Sequence, residues 1–438
     1  MGALVVGEVV GARRETAALP VPVLLLVAGF AAAVVAQGGY YTYGRVTSAL
    51  LVGLAVVLAR PRPNLLVWLG GAVAVWALVR GLLEGDVAAG VPAAVAAGVF
   101  AGAVLVAARA DDLQRDQLAT VVLGVGALVG LTGWVAVVVR LPSWTTEAEG
   151  LLRAASTVTY PNAAAAVLAA TAVLALGRKP TPVHSAAIFL VCTGIGATMS
   201  RAGVIALVAG VLVLCVCSGV RKTLVAAAPP LLGAVVAVAA LLPSMPVVRE
   251  PQPVVAFAGL VAGAAVAVGL PRLGRFLAPV AAVLAAGGVT AFWLADGLAT
   301  RLTFSSPDRS GATGAALDLV ARSPLLGVGP GKATFFFNAD NGNTRVMRYV
   351  HNEYLQVLVE LGAVGLLLAL GVVAAVLVAL WRGRGTALWA GASAAVVVVL
   401  VHSAFDFLWH MPVVLIIAGL CAGLGFPSTG DGRSEGTA

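Results

Sequence analysis

Charge is what this sequence has least of. Only 11% of its 438 residues are Asp, Glu, Lys or Arg, whereas 61% are hydrophobic and the mean hydropathy is +1.02. So little charge in so long a chain excludes an ordinary soluble domain. Apolar runs near the ~20 residues that cross a bilayer recur from Pro20 onward, separated by short polar breaks. The sequence therefore predicts a polytopic membrane protein.

The apolar runs also lack the alternation of polar and apolar residues that a membrane β-barrel needs. Helices satisfy their own backbone hydrogen bonds inside the bilayer, so the runs predict helices. We expect an all-α integral membrane protein with about fourteen transmembrane helices, and no fewer than twelve. The predicted spans are 20–37, 46–59, 64–80, 87–108, 117–139, 161–177, 184–199, 202–218, 223–242, 253–270, 276–296, 355–381, 386–404 and 411–425.

Cysteine and a cleavable leader are the next features in short supply. No A-x-A-like site follows the first apolar run, so we expect that run to remain as a membrane anchor. The four cysteines all lie inside apolar runs, where a thiol is a small buried hydrophobe rather than a disulfide or metal ligand. They are Cys192, Cys215, Cys217 and Cys421.

Basic residues are spread in pairs between the apolar runs. The formal net charge of +8 is therefore not a nucleic-acid-binding patch, and no nucleic acid is expected as a partner. Alternate short loops carry fifteen basic residues on one side, Arg115 among them, and six on the other, Arg80 among them. The positive-inside rule then places both termini in the cytoplasm and the long polar segment outside.

This topology divides the chain into four parts. Residues 1–296 are N-terminal transmembrane helices, 297–350 a large external loop, 351–426 C-terminal transmembrane helices and 427–438 a cytoplasmic tail.

The external loop has local signals of structure. Residues 310–322 have helical spacing of apolar side chains, and the helix should stop before Pro324. The glycines of 327–331 predict a tight turn, since no strand precedes them as a dinucleotide-binding fold requires.

The stretch 345–361 gathers polar residues where this loop re-enters the membrane. Asn352 is a good N-cap, and Glu353 in the first turn suits the positive end of a helix. His351 lies just outside that end, which favours the neutral imidazole that a general base needs. The alternative is an interfacial histidine hydrogen-bonded to loop backbone.

One face of the following helix is polar. Asn352, Gln356 and Glu360 are four residues apart, so they share a face that Glu353 extends. Because Glu360 is costly against lipid, it must face protein or a water-filled cavity. Its role is a helix–helix hydrogen bond or proton transfer. Tyr354 points to another side, where an interfacial aromatic belt is the expected place.

Two arginines are candidates for binding an anion. Ser200 is positioned to cap a helix whose first turn contains Arg201, and exposed amides with a fixed cation form an anion site. Arg309 begins the predicted loop helix beside Asp308. The alternatives are a snorkelling Arg201 and a surface pair between Arg309 and Asp308.

Three segments resemble the O-antigen ligase and polymerase superfamily. They are 200–207 (SRAGVIAL), 324–331 (PLLGVGPG) and 351–362 (HNEYLQVLVELG). The sequence Tyr160-Pro161-Asn162, and His402 with Asp406, are similar to weaker features of that family.

The resemblance implies a GT-C-like membrane glycosyltransferase. Such enzymes move a glycan from an undecaprenyl diphosphate carrier to an acceptor hydroxyl on the outer face of the membrane, with inversion and without a metal, cofactor or nucleotide sugar. By position, the resemblance implies that His351 activates the acceptor and that Arg201 and Arg309 hold the diphosphate. It adds four supporting residues: Asn162, Asn352, Tyr354 and Glu360.

One position departs from the family pattern. The family usually has an aromatic residue four positions after the loop arginine, where this chain has Thr313. Arg301 is therefore the alternative to Arg309.

Other functions remain open from the sequence. The motifs do not separate a ligase from a polymerase, which adds the growing chain to another lipid-linked repeat, and the acceptor hydroxyl could belong to a glycan, a lipid or a protein. A transporter or flippase of lipid-linked sugars is the alternative from another class. Inverted repeats would favour it, and the sequence contains none that we detect.

Overall fold

The protein is described by a computed structural model that covers residues 18–270, 307–338 and 343–427. Within these ranges almost all regular structure is helical. The helices are α1 (Val21–Val35), α2 (Thr42–Ala59), α3 (Leu65–Leu83), α4 (Val87–Ala108), α5 (Asp112–Val138), α6 (Pro161–Leu176), α7 (Pro182–Ala197), α8 (Arg201–Ser218), α9 (Val220–Leu241), α10 (Pro253–Leu270), α11 (Pro307–Arg322), α12 (Glu353–Arg382), α13 (Trp389–Ser403) and α14 (Pro412–Leu424).

The all-α membrane class predicted from the apolar runs is confirmed. In the described ranges, eight helices are long and apolar enough to cross a membrane, and five more apolar helices are shorter. Each predicted span overlaps one of these helices except 276–296, which lies outside the described residues. The predicted loop helix is also confirmed, because α11 ends at Arg322, two residues before Pro324.

Helix α6 is the centre of the bundle, and each of its residues is buried. It packs against α5, α7, α8, α13 and α14. Its run of alanines allows this crowding, because small side chains let membrane helices approach closely. Asn162 lies at one end of α6, which we call the site end, and Leu176 lies at the other, the far end. At ~1.5 Å per residue, the two ends are about 24 Å apart.

Two short antiparallel hairpins were not predicted from the sequence. Strands β1 (Thr145–Ala148) and β2 (Leu151–Ala154) pair between α5 and α6, and β3 (Phe335–Asn338) pairs with β4 (Thr344–Met347) before α12. Strands of four residues are too short to show a period of two against the apolar background.

The predicted glycine turn is confirmed, and it packs against a break in α12. Gly327, Gly329 and Gly331 all have positive φ. Gly362 interrupts the helix with φ 69° and ψ −172°. Four backbone hydrogen bonds join the loop to this break. They run from the amide of Val328 to the carbonyl of Val359 (2.8 Å), from Gly329 to Glu360 (3.0 Å), from Ala363 to Pro324 (2.9 Å) and from Val364 to Leu325 (3.4 Å). The loop thereby replaces backbone bonds that the break leaves open.

Helix α3 supports this junction with one buried and one partly buried donor. The Arg80 guanidinium donates to the carbonyls of Leu326 (2.7 Å) and Gly327 (3.0 Å), and the Trp76 indole donates to the carbonyl of Leu361 (2.9 Å). Arg80, one of the six basic residues counted on the less basic side, is buried in this junction. Arg115, which was counted on the opposite side, is also buried and binds backbone carbonyls at the far end.

Candidate active site

His351 lies in the last turn of chain before α12. Its φ of +52° is left-handed, which turns the chain sharply before the helix begins at Glu353. The Asn352 side chain accepts a hydrogen bond from the amide of Leu355 (3.1 Å), so the predicted N-cap is confirmed. The His351 side chain is 19% exposed and packs 5.2 Å from the ring of Phe407, centroid to centroid. The imidazole is therefore held in place by protein contacts and is still partly accessible at the protein surface.

Asp406 is the partner of His351. It follows α13 and its side chain is 0% exposed, and its Oδ1 lies 3.0 Å from Nδ1 of His351. The Tyr160 hydroxyl lies 2.7 Å and 2.8 Å from the two carboxylate oxygens, and the Asn162 amide also donates to this carboxylate. Nδ1 of His351 consequently acts as the donor, since a carboxylate can only accept.

The network keeps Asp406 ionised. Burial alone would raise the pKa of Asp406, but the hydrogen bonds from His351, Tyr160 and Asn162 outweigh burial and hold the pKa below its usual value. Burial and the negative charge of Asp406 raise the pKa of Tyr160 well above its usual value. Tyr160 therefore remains a neutral hydrogen-bond donor to a charged carboxylate.

Asn162 connects this pair to the start of α8. Its Oδ1 accepts hydrogen bonds from the Ser200 hydroxyl (2.9 Å) and the Arg153 guanidinium (2.9 Å). Ser200 caps α8 by accepting from the amide of Gly203 (3.1 Å), which confirms the predicted cap. Arg201 is the first residue of α8 and is partly buried. Hydrogen bonds thus join His351 to the helix end that carries Arg201.

Arg309 approaches the same region from the external loop. It lies in the first turn of α11, and its positive charge acts on both Tyr160 and His402. The Thr313 hydroxyl, at the position that departs from the family, donates to the carbonyl of Arg309 (2.8 Å). Arg301 lies outside the described residues.

A second polar group, the Glu353 cluster, lies on another side of α12. It consists of Glu353, Gln356, Glu360 and His410, which together line a cavity of about 690 Å³. Glu353 pairs with His410 (3.2 Å), and the Gln356 amide donates to Glu360 (2.8 Å). The polar face predicted for α12 is therefore confirmed, as is the expectation that Glu360 faces protein or a cavity.

His410 has a perturbed pKa. Burial lowers the pKa of His410, but the charge of Glu353 and its contact outweigh burial, with a smaller contribution from Glu360, so the net shift is upward. The imidazolium form therefore compensates a buried carboxylate beside the cavity.

Tyr354 packs between α12 and α13, which half-buries its side chain. Its hydroxyl donates to the carbonyl of Leu400 in α13 (2.8 Å), and its ring meets the edge of Trp409 with centroids 5.6 Å apart. Its place in an aromatic belt stays a prediction.

Sequence reasoning missed the roles of Asp406, Tyr160 and His410. Asp406 and Tyr160 enter the sequence analysis only as weaker features of the family resemblance, and His410 does not enter it. The available signal for Asp406 was its position, since a carboxylate between the last two apolar spans must have partners. His410 and Tyr160 carry no comparable signal, because aromatic and imidazole side chains are common at membrane boundaries.

An ionised, fully buried carboxylate that orients a partly exposed histidine is a general-base arrangement. Here it lies at one end of a transmembrane bundle, beside a capped helix start with an arginine. The class of protein that this fold and site indicate is a multi-pass membrane enzyme.

Residues 186–370 match the protein family described as O-antigen ligase. The matched range contains all three segments that carried the resemblance, which is thereby confirmed. No curated protein matches the chain. The family supports a bacterial membrane glycosyltransferase of the ligase or polymerase type. Asn162 and Asp406 lie outside the matched residues, so the structure alone joins them to His351.

Proposed function

We propose that this protein moves a glycan from undecaprenyl diphosphate to an acceptor hydroxyl on the outer face of the bacterial plasma membrane. In this proposal the fold is a GT-C bundle of about fourteen spans, both termini are cytoplasmic, and the reaction is inverting and needs no metal ion. The observation that carries the proposal is the 3.0 Å contact between Nδ1 of His351 and the buried carboxylate of Asp406.

In this proposal, that contact determines which nitrogen of His351 acts as the base. With its proton on Nδ1, His351 has a lone pair on Nε2, which takes the proton from the acceptor hydroxyl. The acceptor oxygen then bonds to the sugar C1 as the bond from C1 to the diphosphate oxygen breaks. The electron pair leaves with undecaprenyl diphosphate, and attack from the opposite face inverts C1.

Two cations and a helix end would stabilise the leaving group. Negative charge grows on the diphosphate as its bond to C1 breaks, so fixed positive charge lowers the barrier. Arg201 lies in the first turn of α8, where the backbone amides also favour an anion. Arg309 lies in the long loop, in the first turn of α11. The two arginines would thus supply the positive charge that the leaving group needs.

The test of the base is His351→Asn. Asparagine tolerates the left-handed backbone at this position, where alanine would be strained, but its amide cannot accept the acceptor proton. Transfer by the purified protein, from undecaprenyl diphosphate-linked glycan and with chelator present, should fall by about 10²- to 10⁴-fold. The control is His184→Asn at the far end of the bundle. Full transfer by folded His351→Asn would disprove the base assignment, and activity that returned only with a divalent ion would disprove metal independence.

The test of the arginines is donor binding. Arg201→Gln and Arg309→Gln should each weaken binding of the lipid-linked donor by roughly tenfold, because each loses a charge-assisted contact with the diphosphate. Arg322→Gln, at the exposed end of α11, is the matched control. Unchanged donor affinity in both variants would give these arginines a structural role only.

A further inference from the structure

A second cavity lies at the far end of the bundle, away from His351. It measures about 450 Å³ and lies between the end of α6, the end of α8 and the start of α9. Part of its lining is apolar, with Leu176, Leu214 and Val225, and part is basic, with Arg178, Arg221 and Lys222. A concave site with one apolar and one cationic side has the chemistry of an amphiphile with a negative headgroup.

Arg178 is built into the wall of this cavity. Its side chain is only 7% exposed, and its Nη2 donates to the carboxylate of Asp116 (2.7 Å) and the hydroxyl of Thr120 (2.8 Å). Its Nη1 is buried and has no hydrogen-bond partner in the described part of the chain. Buried guanidinium groups are normally paired, so this unsatisfied donor is unusual in the wall of a cavity.

The start of α9 adds a second anion-binding feature. Gly219, with φ 92°, precedes the helix and supplies no side-chain cap, so the first-turn amides lack that partner. Arg221 and Lys222 lie in this turn, both exposed, although the positive helix end disfavours cations. An anion bound here would satisfy the amides and compensate both cations.

We propose that this cavity binds the phosphate headgroup of an anionic phospholipid, with an acyl chain against Leu176, Leu214 and Val225. The charges facing the site are three cations and the Asp116 carboxylate, which is 63% exposed and leaves the site net positive. The apolar lining favours a lipid over free phosphate. By the predicted topology the lipid belongs to the cytoplasmic leaflet, about 24 Å from the transfer site along α6.

Native mass spectrometry of the full-length protein in detergent tests this proposal. The probes are phosphatidylglycerol, phosphatidylcholine and inorganic phosphate, each titrated separately. Phosphatidylglycerol should be retained in preference to phosphatidylcholine. Arg221→Gln with Lys222→Gln should weaken phosphatidylglycerol binding by roughly tenfold to thirtyfold, because each basic residue contributes about 1 kcal/mol near anionic lipid. Both side chains are exposed, so the fold should tolerate the change.

Two further variants complete the design. The double variant Arg62→Gln with Arg109→Gln removes the same charge outside the cavity. Both residues are exposed. Both also lie at the far end, because each follows a helix that begins at the site end. This control should bind phosphatidylglycerol as the wild type does. Asp116→Asn removes the competing carboxylate and should strengthen binding severalfold. Equal binding by all variants, or equal losses in the cavity variant and the control, would overturn the site. Phosphate binding with the same dependence on Arg221 and Lys222 would overturn the lipid as its ligand.

Discussion

Asp406 shows how one buried carboxylate organises the candidate site. Tyr160 and Asn162 come from one part of the chain and His351 from another, and all three donate to its two oxygens. A buried carboxylate with so many donors stays ionised, and an ionised carboxylate fixes the histidine tautomer. The chemical role of His351 therefore depends on a residue 55 positions away.

The first prediction concerns this dependence. Asp406→Asn should lower kcat for glycan transfer by about 10²- to 10⁴-fold, because an amide that donates to Nδ1 leaves the proton on Nε2 and removes the base. Asp111→Asn, an exposed cap at the start of α5, is the control and should transfer normally. A kcat within about threefold of wild type would show that Asp406 does not determine the tautomer.

The second prediction follows from the raised pKa of His410. Protonated His410 pairs with Glu353, and the unfolded histidine has a pKa of about 6.5. Because the folded pKa is higher, this pair stabilises the fold fully below about pH 6.5, and the contribution is lost as pH rises through the folded pKa. Glu360 acts in the same direction as Glu353, and Arg45 opposes both.

The Tm of the wild type in detergent should therefore fall more steeply between about pH 6 and pH 9 than the Tm of His410→Gln. Thermal melts at matched detergent concentration measure the difference between the two proteins at each pH. Parallel curves would mean that the pair does not contribute to stability in this range.

Among the described helices, α12 has the most irregular backbone, and the break within it is where the 324–331 loop packs. The segment before the break carries Glu353, Gln356 and Glu360, and the longer segment after it is an apolar span. Between them, Gly362 leaves the helical conformation, and the loop 324–331 bonds to the freed backbone. The loop 324–331 is thus attached to the helix that follows His351, so the positions of both are coupled.

The third prediction tests this junction. Gly362→Ala should destabilise the protein by about 2 to 4 kcal/mol, because the φ and ψ of this residue are nearly exclusive to glycine and a Cβ would overlap the carbonyl oxygen of Leu325. Gly371→Ala in the same helix is the control, since its nearest neighbour would be 3.6 Å from the added carbon. Thermal unfolding in detergent compares the two; equal stability would argue against a strained break.

At the scale of the whole molecule, the bundle has two chemically different ends. The site end has the His351 network, the Glu353 cluster and both hairpins, whereas the far end has the basic cavity between α6, α8 and α9. The proposed function accounts for this asymmetry, because an enzyme that acts on one face of a bilayer would take its lipid substrates from a single leaflet.

The fourth prediction tests which end faces outward. Gly314 is exposed in α11 with open space around it, so Gly314→Cys should leave the fold intact. With the native cysteines replaced, Gly314→Cys should react with a membrane-impermeant maleimide in intact cells. Arg62→Cys, at the far end, should react only after permeabilisation. The reverse pattern would invert the topology drawn from the positive-inside rule.

The sequence by itself determined the local features of this protein. Apolar runs predicted the helices, Asn352 and Ser200 predicted two caps, and the glycines of 327–331 predicted a turn. Each of these depends on neighbours a few residues away, and such preferences are written directly in the chain.

Only the tertiary structure decided which distant residues meet. Tyr160 lies 246 residues from Asp406, and Arg80 lies 246 residues from the carbonyl of Leu326 that it binds. The apolar surface of a helix can pack against any other apolar surface. In the bilayer, lipid acyl chains compete equally with neighbouring helices for that surface. Helix composition therefore does not specify a neighbour, and the pairing of His351 with Asp406 emerged only when the bundle was assembled.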